Sequence, residues 1–315
     1  MIIGNRKIGA AVLAVVTATA LSACVTNEEV GNPDGWEKIT PAANPALAKL
    51  VPADIRQKGR LTVGSNTPYA PAQFKDSNGN IVGYEVDLIK AAGSLLGLKV
   101  DVRQMDFNLI LPAITAGTVD VGSSSFTDTE EREKSYDFVD FYSAGTQWAT
   151  QPGSEKTIDP DNGCGLTVAV QKGTYSDTDE LPAKNEKCTG AGKPEITKLV
   201  YPSADAAATA TVLGRAQAYS SDSPVIAFAA KRAEGKLAPV GEPFDTAPFG
   251  WAVQKGSPLS TALIAALQQM LADGTYRKIL KPWGLEKGAV DSITFNLKPV
   301  PDRRPDNAMT DRRTQ

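Results

Sequence analysis

The sequence predicts an α/β fold of two lobes joined by two crossing segments. Three observations predict it. Short β-branched runs alternate with amphipathic helical runs from about Arg60 to Ala233, the order of elements that builds α/β sheets. The alternation falls into two blocks, about Arg60–Phe141 and Gly165–Ala238. After Phe249 the chain resumes the pattern of the first block, so Ser143–Thr150 and Glu242–Phe249 must both run between the lobes. Two such crossings form a hinge around a cleft.

The elements follow in order. Leu61–Gly64 reads as a strand. Asp76–Asn80 is a turn cluster between extended segments, a hairpin signal. In Val86–Leu96, the residues Leu88, Ala91, Ala92, Leu95 and Leu96 recur at helical spacing, and Gly97 stops the helix. Val100–Val102 is a strand, Leu109–Ala116 a helix, and Val119–Gly122 a strand. In the second block, strands Leu166–Val170, Ile196–Val200 and Ala216–Tyr219 alternate with helices near Asp177–Lys187, Ala204–Leu213 and Ser223–Ala233. Gly250–Val253 is the last strand. It leads to a helix opened by Ser257-Pro258, a capping residue followed by a proline suited to the first turn.

The chain ends set the compartment. Arg6 and Lys7 precede the apolar run Ile8–Ala20, which closes on Leu21-Ser22-Ala23-Cys24. A short charged region, a short apolar core and small residues make a secretory signal, and the run is too short for a comfortable membrane span. Small residues before a Cys resemble the bacterial lipobox, which implies cleavage before Cys24 and a lipid on it. Val25 to about Ala46 reads as a tether. After Gly288 comes a polar tail with one apolar patch, Ile293–Phe295; its interspersed Asp residues argue for solvation.

Composition narrows the classes. With 315 residues, 42% hydrophobic and 22% charged, the chain can form two lobes with their own cores. A net charge of −3 without a basic patch excludes a nucleic-acid partner. There is no His, and no cofactor or metal is expected. Cys164 and Cys188, in an exported chain, are expected to form a disulfide; closing a loop of about 24 residues contributes about 3 kcal/mol in the chain-entropy model. A metal site is the rival reading, against which stand the lack of His and of CxxC spacing.

The segment Gly117–Tyr142 carries the most chemistry. An apolar strand runs into Ser123–Ser125, then a turn with Thr127 and Thr129, then Arg132 among acids. A guanidinium fork matches two carboxylate oxygens, and amides and hydroxyls at a strand-to-helix turn add fixed dipoles. The plainer alternative is an ordinary βα loop with Arg132 paired to a neighbouring Glu.

Several motifs in a fixed order carry a resemblance over about Lys58–Leu285. They are Gly59–Gly64, Asn66–Pro71 (NTPYAP), Val82–Leu88 (VGYEVDL), Leu111–Ile114, Gly117–Asp120, Thr129–Arg132, Val170–Thr174 (VQKGT), Ser221–Pro224 (SDSP) and Ala272–Tyr276 (ADGTY). The chain resembles the polar-amino-acid type (family 3) of extracellular solute-binding protein that feeds ABC importers, in lipoprotein form. The resemblance implies a two-lobed periplasmic-binding-protein fold of type II. It also implies a signal peptide over 1–23, a lipidated Cys24 and tether over 24–50, and lobe 1 over 51–145 plus 247–290. Lobe 2 then covers 146–246, and the C-terminal tail 291–315. The protein would sit on the outer face of the cell membrane, capture a ligand and present it to permease subunits.

The resemblance also implies site roles. Arg132 would clamp the ligand α-carboxylate, helped by the Thr127 hydroxyl and the Ser125 backbone. Thr174, after Gly173, would open a lobe 2 helix whose amides approach the same carboxylate. Asp222 would take the α-ammonium, and Tyr69 and Phe107 would wall the pocket. Asn66 lies where an acid often reaches the ligand side chain, so a polar ligand, neutral or acidic, is expected. Each role has a structural alternative: Asp222 and Thr174 as helix caps, Tyr69 and Phe107 as core. Asp128 repels acids if it faces the pocket and is silent if it faces solvent. Met105–Asn108 is similar to glutamine-type receptors. Two further functions remain: a ligand-sensing lipoprotein, and a cyclohexadienyl-type dehydratase, which needs a general acid from among Asp128, Asp222 or a nearby Glu or Tyr.

Overall fold

The computed structural model describes residues 31–301. The chain opens with helices α1 (Pro45–Ala48) and α2 (Ala53–Lys58), then strand β1 (Arg60–Ser65) and the hairpin β2 (Phe74–Lys75) and β3 (Ile81–Val82). Helix α3 (Tyr84–Leu95), β4 (Lys99–Gln104), α4 (Phe107–Thr115), β5 (Val121–Thr127) and the short α5 (Glu130–Glu133) complete the first pass through lobe 1. The long β6 (Tyr136–Thr150) crosses into lobe 2. That lobe holds β7 (Thr167–Gln171), a π-turn at Ser176–Glu180, α6 (Leu181–Gly190), β8 (Thr197–Tyr201), α7 (Ala204–Val212), β9 (Ala218–Asp222) and α8 (Ser223–Arg232). The long β10 (Ala238–Gln254) returns, followed by α9 (Leu259–Ala272), α10 (Thr275–Leu280), β11 (Ala289–Phe295) and β12 (Lys298–Pro299).

One curled sheet runs through both lobes in the order β4-β1-β5-β10-β6-β9-β7-β8. β1 lies parallel between β4 and β5, and β7 lies parallel between β8 and β9. Between these trios, β6 and β10 pair antiparallel and serve both lobes. They are the two crossing segments expected from the sequence. Their register shifts between Val240 and Phe244 and again between Phe244 and Ala247, so the hinge is bulged where it bends. Gly145 allows the close approach: a Cβ there would meet the Phe244 carbonyl oxygen at 2.7 Å.

Apolar burial explains both lobes. Leu61, Val63, Leu88, Val121, Val139, Trp251, Leu263 and Leu267 are fully buried in the cluster under lobe 1, which continues to Ala169 and Tyr219 of lobe 2. A separate lobe 2 cluster packs Trp148, Val168, Val170, Leu181 and Ile196. Each such side chain contributes roughly 1.5–3 kcal/mol. Cys164 and Cys188 are disulfide-bonded with Cα atoms 5.6 Å apart, tying the approach to β7 to the end of α6.

Three boundaries differ from the sequence reading. The strand read as Val119–Gly122 continues through the hydroxyl run to Thr127, with every side chain buried; the three serine hydroxyls are tolerated there because each finds a partner. The segment read as a tether is docked from at least Trp36: its indole Nε1 donates to Asp87 Oδ2 at 2.7 Å, Asn44 caps α1 through Ala46 N at 2.9 Å, and Leu47 is buried. The start of the expected tail is strand β11, paired to β6, with Ile293 buried. Cys24, the signal sequence and the last residues of the tail lie outside the described residues.

Candidate functional site

The cleft site is assembled from the carboxyl ends of β1, β5, β7 and β9, where a parallel α/β sheet presents ligands. Asn66 follows β1 and is buried. Its backbone N–H donates to Ser124 Oγ at 3.1 Å, and its Nδ2 donates to the Met105 carbonyl at 3.2 Å. Its Oδ1 accepts from Gln171 Nε2 of lobe 2 at 2.8 Å. Tyr69, three residues on, donates its hydroxyl to Asp222 Oδ2 at 2.5 Å and lies 3.3 Å from Ser221 Oγ. Both contacts bridge the lobes.

Arg132 stands at the other side of the cleft. Its Nη1 donates to the Thr127 carbonyl at 2.8 Å and its Nη2 to the Gly173 carbonyl of lobe 2 at 3.1 Å. Its guanidinium lies 5.9 Å from the centroid of the Phe126 ring, and Phe107 stacks on the same ring at 4.6 Å. Thr129 caps α5 by accepting from the Arg132 amide at 3.3 Å. The neighbouring-Glu pairing considered for Arg132 does not occur among the described ion pairs. Burial depresses the Arg132 pKa, opposed first by Asp179 and then by Asp222 and Asp128.

Asp222 starts α8 but makes no cap bond to it; its carboxylate faces Tyr69 instead. Burial raises its pKa to about 6, against the Tyr69 hydrogen bond and the Arg132 charge. Thr174 donates its hydroxyl to the Gln171 carbonyl at 2.8 Å, and the Gly173 amide goes to Asp177 at 2.8 Å. The turn between β7 and the π-turn is therefore closed on itself rather than open to a ligand.

The Ser125 amide and hydroxyl are engaged within lobe 1. Both bond Glu85 Oε2, each at 2.8 Å, and the residue's φ is +51°. The Ser125 backbone N–H is thus engaged by α3, which leaves its carbonyl as the backbone group it can offer a ligand. Glu85 Oε1 also accepts from Ser123 Oγ at 2.9 Å. The Glu85 carboxyl is fully buried, and burial raises its pKa to about 7 against these three bonds. Asp128 faces neither cleft nor solvent: it is buried and accepts from the Leu297 amide at 3.2 Å.

Four residues of the site escaped sequence reasoning. Glu85, Ser124 and Gln171 lie inside the family-like motifs or the hydroxyl run with no role that sequence assigns, and Gln73 lies just beyond the Asn66–Pro71 motif. The signal for Glu85 was an acid between the apolar Tyr84 and Val86 at a helix start. Gln73 Nε2 donates to Ser124 Oγ at 3.2 Å, so Gln73, Ser124, Asn66 and Gln171 form one bonded chain across the cleft floor. Within it, Gln73 Oε1 and Gln171 Oε1 are buried without a donor. A groove of about 530 Å3 between the N-terminal segment and α10, lined by Trp36, Asp87 and Lys278, shares none of these residues.

A hinged cleft with a guanidinium on one side and a carboxylate on the other defines a two-lobed receptor for small solutes. Comparison with known proteins agrees: the chain belongs to the bacterial extracellular solute-binding proteins, family 3, whose profile matches residues 61–286. It is 47% identical over 298 residues to the arginine-binding protein ArgT of Corynebacterium glutamicum, covering 95% of this chain and 98% of that one. Among solved structures, it is similar to an ancestral arginine-binding protein bound to arginine (TM-score 0.65, 34% identity, 71% of this chain and 98% of that one). It is also similar to an ancestral amino acid-binding protein described as a precursor of cyclohexadienyl dehydratase (TM-score 0.64, 34% identity, 73% and 97%).

The chain is therefore a solute-binding protein and not an enzyme. Among its described residues no helix is long and apolar enough to cross a membrane. The expectation of a neutral or acidic ligand is at odds with the arginine-binding relatives. Asn66, the basis of that expectation, is held by Met105 and Gln171 and so also makes a contact between the lobes.

Proposed function

We propose that the protein captures a cationic amino acid, arginine or a close analogue, between its lobes and delivers it to an ABC permease while anchored by lipid on Cys24. The observation that carries the ligand is the pair of buried acceptors, Gln73 Oε1 and Gln171 Oε1, with no donor. A buried acceptor left unpaired costs about 1–3 kcal/mol. A guanidinium offers five N–H donors and no acceptor, so it complements this floor better than any acidic or apolar side chain. In this reading Arg132 takes the α-carboxylate, with Thr127 beside it. Asp222 takes the α-ammonium, displacing the Tyr69 hydroxyl, and Tyr69 and Phe107 flank the ligand. Thr174 acts through the turn that presents the Gly173 carbonyl. Because Arg132 and Asp222 lie on different lobes, a zwitterion bridges them and favours closure.

The test is thermal melting of protein first unfolded and refolded to strip bound ligand, against each standard L-amino acid. A ligand at about 100 times its dissociation constant stabilises by about 2.7 kcal/mol. The expected result is a shift with arginine, a smaller one with lysine, and none with glutamate. A shift with glutamate alone would refute the proposal.

A further inference from the structure

The family match ends at residue 286, yet the chain continues into the ordered hairpin β11–β12. This hairpin is not free surface decoration. Its turn residues Asn296 and Leu297 both have positive φ, 51° and 59°, and they are held there by lobe 1. Asn296 Oδ1 accepts from the Phe138 amide at 2.8 Å, and its Nδ2 donates to Asp137 Oδ1 at 2.8 Å. The Thr294 hydroxyl donates to Asp140 Oδ2 at 2.7 Å, and the Leu297 amide donates to Asp128 Oδ2. Asp128 sits between Thr127, whose carbonyl holds Arg132, and Thr129, which caps the helix carrying Arg132.

We infer that the β11–β12 hairpin is a positioning element for Arg132: it holds Asp128 against Asp140, and through Asp128 it fixes the turn Thr127–Arg132. The inference rests on Arg132 being the ligand's clamp. The carboxyls of Asp128 and Asp140 each keep one buried oxygen, Oδ1, without a donor. A single proton between them supplies that donor. Burial first, and then the charge of its partner, raises Asp128 to about 8; burial also raises Asp140, to about 6. Other groups face the pair as well. Glu133 of α5 disfavours the charge on both, and Arg132 feels Asp128 as an attraction. From β11 the Thr294 hydroxyl, and from the hairpin turn the Leu297 amide, favour the anion. Asp137 is occupied by Lys255 at 2.9 Å and by Asn296. Titration of the pair near neutrality therefore loosens the contact as pH rises, because two adjacent buried carboxylates repel.

The test uses the whole chain. Amide exchange over Thr129–Glu133 is followed in the ligand-free protein, and L-arginine affinity is followed from pH 6 to pH 9. The variants are Thr294→Val with Asn296→Ala, Asp128→Ala and Asp128→Asn, with Arg132→Ala as the control. We expect the first two to speed exchange in that segment and to weaken arginine roughly five- to tenfold, the usual effect of losing a buried hydrogen bond. Asp128→Asn keeps a donor for Asp140 and an acceptor for Leu297, so it should restore affinity and remove the alkaline decline. Unchanged exchange at Thr129–Glu133, or a pH profile identical in the parent and Asp128→Asn, would overturn the inference. If Arg132→Ala itself leaves arginine binding intact, the clamp reading fails; the exchange result still decides whether the hairpin holds the turn.

Discussion

Replacing Arg132 with alanine removes the donor fork that already reaches both lobes, to Thr127 at 2.8 Å and Gly173 at 3.1 Å. In the free protein these are two hydrogen bonds to carbonyls, worth about 1 kcal/mol net each. Partial solvent access lowers that figure, so the variant should remain folded with a denaturation midpoint only slightly reduced. Binding should suffer far more. A ligand carboxylate buried in the closed cleft would lose its charged partner, a loss of about 2–5 kcal/mol, or roughly thirtyfold to several thousandfold in Kd. Arg132→Lys keeps the charge but not the planar fork and should fall between the two. Calorimetric titration with L-arginine at pH 7, alongside urea unfolding, separates the terms. Affinity within threefold of the parent in a folded Arg132→Ala protein would refute the assignment of the carboxylate.

Other consequences follow from the buried acids and the disulfide. Asp222 must be charged to hold an ammonium, and its pKa is raised to about 6, so arginine affinity should fall as pH drops through about 6; a flat profile from pH 5 to pH 8 would count against its role. Stability of the free protein should run the other way. Glu85 and Asp222 carry folded pKa values of about 7 and about 6 against ordinary values of 4.5 and 3.8, so the folded state binds more protons between these limits. Asp140 and Asp128, raised to about 6 and about 8, act in the same direction, so unfolding free energy should decline as pH rises from about 4 to about 8. Glu85→Gln should flatten the upper part of that slope, whereas Glu85→Ala should cost about 2–4 kcal/mol by leaving the Ser125 amide unpaired; equal midpoints for the two variants in urea would contradict this. Reducing Cys164–Cys188 should destabilise the protein by about 2–4 kcal/mol while changing arginine affinity little, since Cys164 precedes β7 whereas Gln171 and Gly173 lie at its carboxyl end; a large loss of affinity in folded, reduced protein would contradict that separation.

The lobes and their two crossings were legible in the sequence because periodicity and block order report local burial. The Arg132–Asp222 opposition was legible through motif order. Less visible were features that depend on chain segments far apart. The hydroxyl run reads as a loop by composition, yet Glu85, 40 residues from Ser125, makes a buried strand of it by accepting its hydrogen bonds. Asp128 could not be placed by sequence because its partners, Asp140 and Leu297, come from β6 and from a hairpin 169 residues on. Asn66 has a second partner that sequence does not show, for a related reason. Its residue type reads as a statement about the ligand, and its side chain also accepts from Gln171, 105 residues away.

In the proposed mode of binding, Gln73 Oε1 and Gln171 Oε1, as unpaired acceptors, select a donor-rich cationic side chain. The most direct measurement is a pair of calorimetric titrations of refolded protein with L-arginine and L-citrulline. These ligands match in shape, but citrulline replaces a donor with a carbonyl acceptor. Arginine should bind saturably and one-to-one, and citrulline more weakly by roughly a hundredfold or more, as expected when buried acceptors face an acceptor. Citrulline binding as tightly as arginine, or arginine failing to bind at millimolar concentration, would contradict that mode of binding.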